Sequence, residues 1–170
     1  RRLLYLNDDV DINTFPNCLK WISKFKENLS HSKSSKESSS DWYYLHRARE
    51  RKDLDIIPKI LIQNTRNESL KTRIVATMDE EGVYGTQGLN FIIPSSNQSI
   101  YSFLGLLNSK LINYLFATKF LNLAIKADFL KKLQFPNNFN NLPIELHTKE
   151  MISTSKQYND LTDDFLNLIK

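Results

Sequence analysis

The sequence predicts a mixed α/β fold, a small and mostly antiparallel, curved sheet packed against helices. Three observations support this. From residue 58 to 94, short β-branched runs alternate with polar turns rich in Asn, Thr and Gly. Residues 100–107 are apolar on nearly every side of a helix, as in a buried helix. The tail from residue 148 to 170 has apolar residues at three- and four-residue spacing, typical of an amphipathic helix. A helix is therefore expected at each end of the chain, with the sheet and a central helical pair between.

Composition sets wide limits on function. A chain of 170 residues can bury a core, and one domain is the simplest expectation. A net charge of +4 and a pI near 9.1 permit a polyanionic partner without requiring one. The single cysteine, Cys18, excludes an internal disulfide and favours a reducing compartment, so we expect the cytoplasm. No secretory signal or membrane span is visible, and the start at Arg1 indicates a piece of a longer protein.

The first forty residues predict a helix followed by a loop. Residues 1–12 are compatible with a strand, to which no role can be assigned. A helix is predicted from Asn13, with Asn13 or Thr14 as its cap and Pro16 in its first turn. Residues 30–41 are rich in Ser and Lys and have too little apolar surface to become ordered, so we expect a mobile loop.

An aromatic and basic block, DWYYLHRARERK, occupies residues 41–52. The planar fork of arginine matches both phosphate oxygens and the edge of guanine, and aromatic rings can stack on bases. In the alternative, the aromatics belong to the core and the arginines pair with nearby carboxylates. The residues by themselves leave both interpretations open.

Four short strands are predicted, at Ile60–Ile62, Arg73–Thr77, Val83–Tyr84 and Phe91–Ile93. Residues 79–82 have the composition of a turn, in which Gly82 can take a positive φ. The connections at residues 63–67 and 85–90 are rich in side chains that can hydrogen-bond base edges. Simple turn formation by the same residues is the alternative.

Two adjoining helices are predicted after the strands. Ser99 is expected to cap the first helix, and residues 108–109 to separate it from a second one at residues 111–120. Gly105 allows close packing against another element. Residues 129–135 are expected to form a returning edge segment, stopped by Pro136.

The order of three segments carries a family resemblance. These are Trp42-Tyr43-Tyr44-Leu45 with the arginines behind it, the strand Pro58-Lys59-Ile60, and the helical Leu106-Leu107-Asn108-Ser109-Lys110. This order resembles the TaqI-like C-terminal specificity domain, the target-recognition part of N6-adenine DNA methyltransferases and of fused type IIG restriction–modification enzymes. The resemblance covers roughly residues 13 to 145.

The resemblance implies a division of labour with a part outside this chain. Residues 1–145 would form the target-recognition domain, and residues 146–170 a C-terminal amphipathic helix. The domain would recognise a sequence in double-stranded DNA and position an adenine for a methyltransferase domain in cis. S-adenosylmethionine would bind in that missing domain. Whether the parent enzyme also cleaves DNA stays open.

The predicted DNA-binding residues fall into two groups. Charge and place in the resembled motif assign phosphate contact to Arg47, Arg49 and Lys59. Base reading is expected from side chains in the connections between short strands, where amides and a guanidinium can make two bonds to one base. The whole predicted set is Trp42, Tyr43, Arg47, Arg49, Lys59, Gln63, Asn64, Arg66, Tyr84, Thr86, Gln87 and Asn90.

We predict no catalytic residue, metal ligand or cofactor site in this chain. The sequence lacks a Pro-Pro pair, and with it the loop that holds a flipped adenine in the resembled methyltransferases. Gly82, Gly85 and Gly88 open no helix, so we interpret them as turns. Residues 79–81 indicate a structural acidic turn. The rival hypotheses are the recognition domain of a type I specificity subunit, a protein-interaction module without DNA contact, and an unrecognised nuclease.

Overall fold

The chain divides into two compact units, Arg1–Leu54 and Asp55–Lys170. A computed structural model describes residues 4–31, 42–45, 48–66, 69–70, 72–85, 88–121, 124–136 and 143–168, apart from the side chains of residues 31 and 161–168. The predicted division into residues 1–145 and residues 146–170 stays a prediction.

The first unit is helical. It contains the 3₁₀ helix Ile12–Thr14, α1 (Pro16–Ile22), the 3₁₀ helix Ser23–Phe25, α2 (Lys26–His31) and α3 (Arg51–Leu54). The predicted helix with Pro16 in its first turn is confirmed. The predicted cap is wrong, because Asn13 and Thr14 lie in the 3₁₀ helix before α1. That 3₁₀ helix is capped by Asp11, whose side chain accepts a hydrogen bond from the Asn13 N–H at 3.0 Å.

The core of this unit contains Leu6, Ile12, Ile22 and Trp42. The strand considered for residues 1–12 is not found in residues 4–12, where the backbone of Leu6 accepts a hydrogen bond from the Leu45 N–H at 2.9 Å. Of the Ser/Lys loop predicted at residues 30–41, residues 32–41 lie outside the part that the structure describes.

The second unit contains a three-stranded antiparallel sheet. Its strands are β1 (Lys59–Gln63), β2 (Ala76–Asp79) and β3 (Leu89–Ile92), in the order β2-β1-β3. The strands predicted near residues 60 and 91 are confirmed, and the second lies at residues 76–79, not 73–77. No strand forms at residues 83–84, because the chain there folds into a turn around Asp79. Gly82 takes the predicted positive φ, 77°.

The described part of the second unit contains four helices: α4 (Ile100–Asn108), α5 (Lys110–Lys119), α6 (Ala127–Lys131) and α7 (Ile144–Leu168). The side chain of Ser99 caps α4 and that of Ser109 caps α5, so the predicted cap and the predicted break are confirmed. Ile60 and Ile62 pack with residues of α4 and α5 in one hydrophobic core. The edge segment predicted at residues 129–135 is wrong in part, since residues 127–131 form α6.

The absence of a side chain at Gly105 allows α7 to pack close to α4. A methyl group at Gly105 would lie 2.9 Å from Cγ1 of Ile144 and would collide with the hydroxyl of Thr148. The predicted mixed α/β fold is therefore confirmed: an antiparallel sheet lies on α4 and α5, and helices stand towards both ends of the chain. Within the described residues, no helix is both long enough and apolar enough to cross a membrane.

Candidate nucleic-acid interface

Antiparallel pairing brings several polar residues to one end of the sheet. Gln63 pairs with Leu89, and Ile62 pairs with Ala76 on one side and Asn90 on the other. The last residue of β1 therefore lies beside the first residues of β2 and β3. We call this the Gln63 end of the sheet, formed by Gln63, Asn64, Arg66 and Asn90.

Arg66 is held at this end by the chain around it. Its Nε donates to the carbonyl oxygen of Thr72 at 3.0 Å, and its Nη1 makes a longer contact, 3.5 Å, with Oε1 of Gln63. Arg66 is half-buried and Gln63 is exposed. The guanidinium is thus oriented by one backbone and one side-chain oxygen. An oriented guanidinium loses less entropy when it binds a planar partner.

Asn64 and Asn90 connect this end to a later segment of the chain. The backbone N–H of Asn64 donates to the carbonyl of Gly88 at 2.8 Å, and its carbonyl accepts from the Ile125 N–H at 2.6 Å. The side-chain nitrogen of Asn90 donates to the carbonyl of Ile125 at 2.5 Å. One N–H of the Asn90 amide, which was predicted to contact DNA, is therefore used in a hydrogen bond within the fold.

Lys59 and Tyr84 lie away from the Gln63 end. Lys59 pairs with Asp79 where β1 begins and β2 finishes, at the opposite end of the sheet. The hydroxyl of Tyr84 is hydrogen-bonded to the carboxylate of Asp55, four residues before β1. Lys59 and Tyr84 are therefore separated by the length of the strands from the predicted residues at the Gln63 end.

Lys59 belongs to a buried ion pair. Its Nζ lies 2.9 Å from Oδ2 of Asp79, and the two side chains are 0% and 2% exposed. Nζ also donates to the carbonyl of Ile56 at 3.2 Å. An ammonium group in this position cannot contact a phosphate, so the phosphate role predicted for Lys59 is not carried forward.

Asp79 organises the turn that follows β2. Its carboxylate accepts hydrogen bonds from the backbone N–H groups of Glu81, Gly82 and Val83, at 3.1, 3.1 and 2.8 Å. Burial acts to raise the pKa of Asp79, but the hydrogen bonds from Lys59 and from this turn outweigh it. The pKa lies below the ordinary value of 3.8 as a result. The predicted acidic turn is structural.

In the first unit, Trp42 is a core residue. It is 9% exposed, packs with Leu6, Ile12 and Ile22, and has the ammonium of Lys26 above its ring at 5.7 Å. The core interpretation of Trp42, left open by the sequence, is the one that this geometry supports. Tyr43 is half-buried beside it, with its ring edge-on to that of Trp42 at a centroid distance of 5.3 Å.

Arg49 is positioned through its backbone. The hydroxyl of Tyr5 donates to the Arg49 carbonyl and accepts from the Arg49 N–H, both at 2.7 Å. The side chain of Arg49 is half-buried. The other predicted contacts, Arg47, Thr86 and Gln87, lie outside the described residues.

Two asparagines hold the backbone of β2 and of the chain before it, a role that the sequence analysis did not assign to them. Oδ1 of Asn113 accepts from the backbone N–H groups of Arg73 and Ile74, at 2.8 and 2.7 Å. The amide of Asn108 both accepts from and donates to the backbone of Ala76, at 3.0 and 2.9 Å. Asn108 therefore holds the outer edge of β2, and Asn113 holds the chain that leads into β2. In the sequence, each of these asparagines interrupts an otherwise apolar helical stretch, and this pattern could have identified them.

The described residues contain no group of three or more His, Cys, Asp or Glu side chains that could hold a metal ion. What the Gln63 end offers is amide and guanidinium groups near an exposed surface. Such groups recognise hydrogen-bonding edges.

Comparison with models of known protein families identifies the family of this chain. The model of the TaqI-like C-terminal specificity domain matches residues 11–144 of the 170. The chain belongs to this family. No curated protein matches the chain.

The TaqI-like specificity domain thus covers both the Gln63 end of the sheet and the aromatic and basic block. Its match ends at Ile144, the first residue of α7, so almost all of that helix lies beyond it. The resemblance predicted from the sequence over residues 13 to 145 is confirmed.

Proposed function

We propose that this chain reads a sequence in duplex DNA and so positions an adenine for an N6-adenine methyltransferase domain outside it, in a restriction–modification enzyme. Membership of the TaqI-like specificity family supports recognition of a DNA target. The observation that carries the finer assignment is the oriented guanidinium of Arg66, beside Gln63 and Asn64 at one end of the sheet.

Base reading is assigned to the Gln63 end. Arginine can donate two hydrogen bonds to O6 and N7 of guanine, and glutamine or asparagine can pair twice with adenine. Arg66, Gln63 and Asn64 supply these groups. Thr86 and Gln87 lie outside the described residues and stay in the proposal on their residue types, since threonine and glutamine can hydrogen-bond base edges.

Backbone contact is assigned to the first unit. Residues 1–54 contain eleven Lys or Arg and eight Asp or Glu, a net charge of +3 out of the +4 of the whole chain. Arg47 and Arg49 are the proposed phosphate contacts, and Tyr43 stays in the proposed DNA-binding set. Asn90 supports the fold at the Gln63 end by its bond to the carbonyl of Ile125, and Tyr84 bonds to Asp55 before the start of β1. Methyl transfer would use S-adenosylmethionine bound in the other domain.

This proposal predicts weak, salt-dependent binding of duplex DNA. If the chain neutralises about 4 to 6 phosphates, log affinity should fall against log salt concentration with a slope of roughly −4 to −5. Fluorescence anisotropy of a labelled duplex, titrated at several salt concentrations, measures the slope. A chain that binds no duplex at low salt, alone or joined to its methyltransferase domain, would contradict DNA recognition.

The two proposed groups of residues predict different mutant phenotypes. In the enzyme that joins this chain to its methyltransferase domain, Arg66→Ala should relax the preference at one base pair, because a bidentate contact discriminates by about 1–3 kcal/mol. Arg49→Ala should reduce methylation at all sites without altering the motif, and should lower the salt slope by about one. Genome-wide mapping of methylated adenines reads out both effects.

Each variant serves as the control for the other, since both remove one guanidinium. A changed motif in Arg49→Ala with an unchanged motif in Arg66→Ala would reverse the assignment. Normal motif and normal yield in both would place the DNA surface elsewhere on the domain.

A further inference from the structure

The outer edge of β2 has backbone hydrogen-bonding groups that face away from the sheet. The N–H and the carbonyl of Ala76 are both bonded to the side-chain amide of Asn108, at 3.0 and 2.9 Å, so they point away from β1. Along an antiparallel strand, the backbone groups of successive residues point alternately to one side and the other. Met78, two residues further along β2, therefore turns its N–H and its carbonyl to the same outer edge.

The pairing on the other side of β1 gives the same alternation. The Asn64 N–H, just after β1, donates to the carbonyl of Gly88, just before β3. Ile60, four residues before Asn64, bonds towards β3 as well. Ile60 is the partner of Met78 in the register of β1 and β2, so no ladder bond joins these two residues. Among the described residues, neither the N–H nor the carbonyl of Met78 has a hydrogen-bond partner.

A groove of about 550 Å³ runs along this outer edge. Its lining opposite β2 is mainly apolar and comes from α4 and α7, with Leu104, Gly105, Met151 and Ile152. Just after β2, the Nζ of Lys156 on α7 lies 3.3 Å from Oε2 of Glu80. The groove is therefore short, bounded by Asn108 where β2 begins and by the Lys156–Glu80 pair where β2 ends.

The helices beside this edge limit what can bind there. Ile144 and Ile152 of α7 pack against the core that α4 shares with the sheet, so α7 continues the helical layer past β2. A second copy of the domain would bring its own α4 under its own β2, into the space that α7 already fills. A single extended segment brings no helix with it, and can lie against β2 at the usual separation of ~4.8 Å between strands.

Met78 determines the chemistry of such a segment. It offers one donor and one acceptor, and one residue of an antiparallel strand returns both bonds. Because Ala76 is already bonded to Asn108, the pairing is confined to Met78 and the segment is short. The side chain opposite Met78 lies on the same face of the sheet, which packs on the core, so it enters the apolar groove. Its two neighbours lie on the face of the exposed Thr77 and meet water.

We propose that the outer edge of β2 binds an extended segment of a partner protein, in which one apolar residue stands between polar neighbours. The segment adds a short fourth strand to the sheet through two hydrogen bonds to Met78. Strand addition at an exposed sheet edge is a recurring mode of peptide recognition. The site lies in the second unit, and the proposal does not depend on DNA recognition.

An acetylated and amidated Thr-Thr-Val-Thr-Thr peptide tests this by NMR on the full chain labelled with ¹⁵N. Two hydrogen bonds and one apolar side chain should give weak binding, with a Kd on the order of 1 mM. Binding should shift the Met78 amide resonance and slow the exchange of this amide with solvent by roughly fivefold or more at about 10 mM peptide. The Thr77 amide, which already bonds to β1, should exchange at an unchanged rate.

Two matched peptides identify the contacts. Methylation of the valine nitrogen removes the donor for the Met78 carbonyl, and aspartate in place of valine puts a charge against the apolar groove. Each change should weaken binding by roughly fivefold or more.

Two variants of the chain locate the site. Ser155→Trp places a large side chain at the groove and should weaken binding of the valine peptide by roughly fivefold or more. Ser153→Trp makes the same change at an exposed position of α7 outside the groove, and should leave the affinity within about twofold. Circular dichroism checks that helix content is equal in the two variants.

Three results would overturn the proposal. One is equal binding of the valine peptide and its N-methylated form. Another is a Met78 resonance that no peptide shifts at about 10 mM. The third is a Met78 amide as protected from exchange in the free chain as the Thr77 amide, because the edge would then already be occupied by the chain itself or by a second copy.

Discussion

Replacing Lys59 by Met should lower the free energy of unfolding by about 3–5 kcal/mol, because it leaves the carboxylate of Asp79 buried without its counter-ion. The Nζ–Oδ2 distance is 2.9 Å and both side chains are almost fully buried, so water cannot replace the lost partner. The pair joins the first residue of β1 to the last residue of β2. Its loss should therefore loosen this end of the sheet.

Urea denaturation followed by circular dichroism measures the effect. Lys110→Met provides the control, since Lys110 is exposed at the start of α5 and its replacement should change stability by less than about 0.5 kcal/mol. If Lys59→Met and Lys110→Met lowered the free energy of unfolding equally, Lys59 in its ion pair would contribute no more stability than a lysine on the surface.

The pH dependence of this loss follows from the lowered pKa of Asp79. A carboxyl whose pKa is lower in the folded chain contributes stability above its ordinary value of 3.8, and that stability is lost as the pH falls through the folded pKa. The Lys59→Met chain lacks the part of this contribution that comes from Lys59, while the hydrogen bonds from the turn remain. The difference between the two chains should therefore shrink as the pH decreases below about 4.

Asn113→Ala should lower the free energy of unfolding by about 3 kcal/mol or more, since two buried backbone N–H groups lose their acceptor at about 1–3 kcal/mol each. These groups belong to Arg73 and Ile74. The preceding residue, Thr72, supplies the carbonyl that holds Arg66. The substitution should consequently disturb the proposed base-reading site as well as the fold.

Urea denaturation and amide hydrogen exchange check this together. The Arg73 and Ile74 amides should exchange faster in Asn113→Ala, whereas Asn159→Ala, at an exposed position of α7, should leave both stability and exchange nearly unchanged. Retained protection of both amides in Asn113→Ala would mean that another group holds this segment.

Local patterns predicted much of the fold. Periodicity found α4 and α7, and local residue chemistry found the positive φ of Gly82, the cap at Ser99 and the break between α4 and α5. These features depend on residues a few positions apart, so the sequence contains them directly. The family resemblance, which rests on ordered short segments, was predictable for the same reason.

The wrong predictions for two short segments also have local causes. The strand expected at Val83–Tyr84 has the right residue types, but Asp79 accepts three backbone N–H groups there and bends the chain. At residues 129–130, an apolar pair could be strand or helix, and five residues of helix formed. Short apolar runs do not distinguish the two.

The sequence by itself determined the elements, the family and the polar connections from which a DNA-reading surface could be built. Only the tertiary structure decided which of those polar groups are presented and which are buried. Lys59 is paired with a residue twenty positions away, and Asn113 with backbone groups 40 and 39 positions away. A side chain's partner across such a distance depends on the register of the sheet and the packing of α5 against it. Neither quantity is encoded in a run of neighbouring residues.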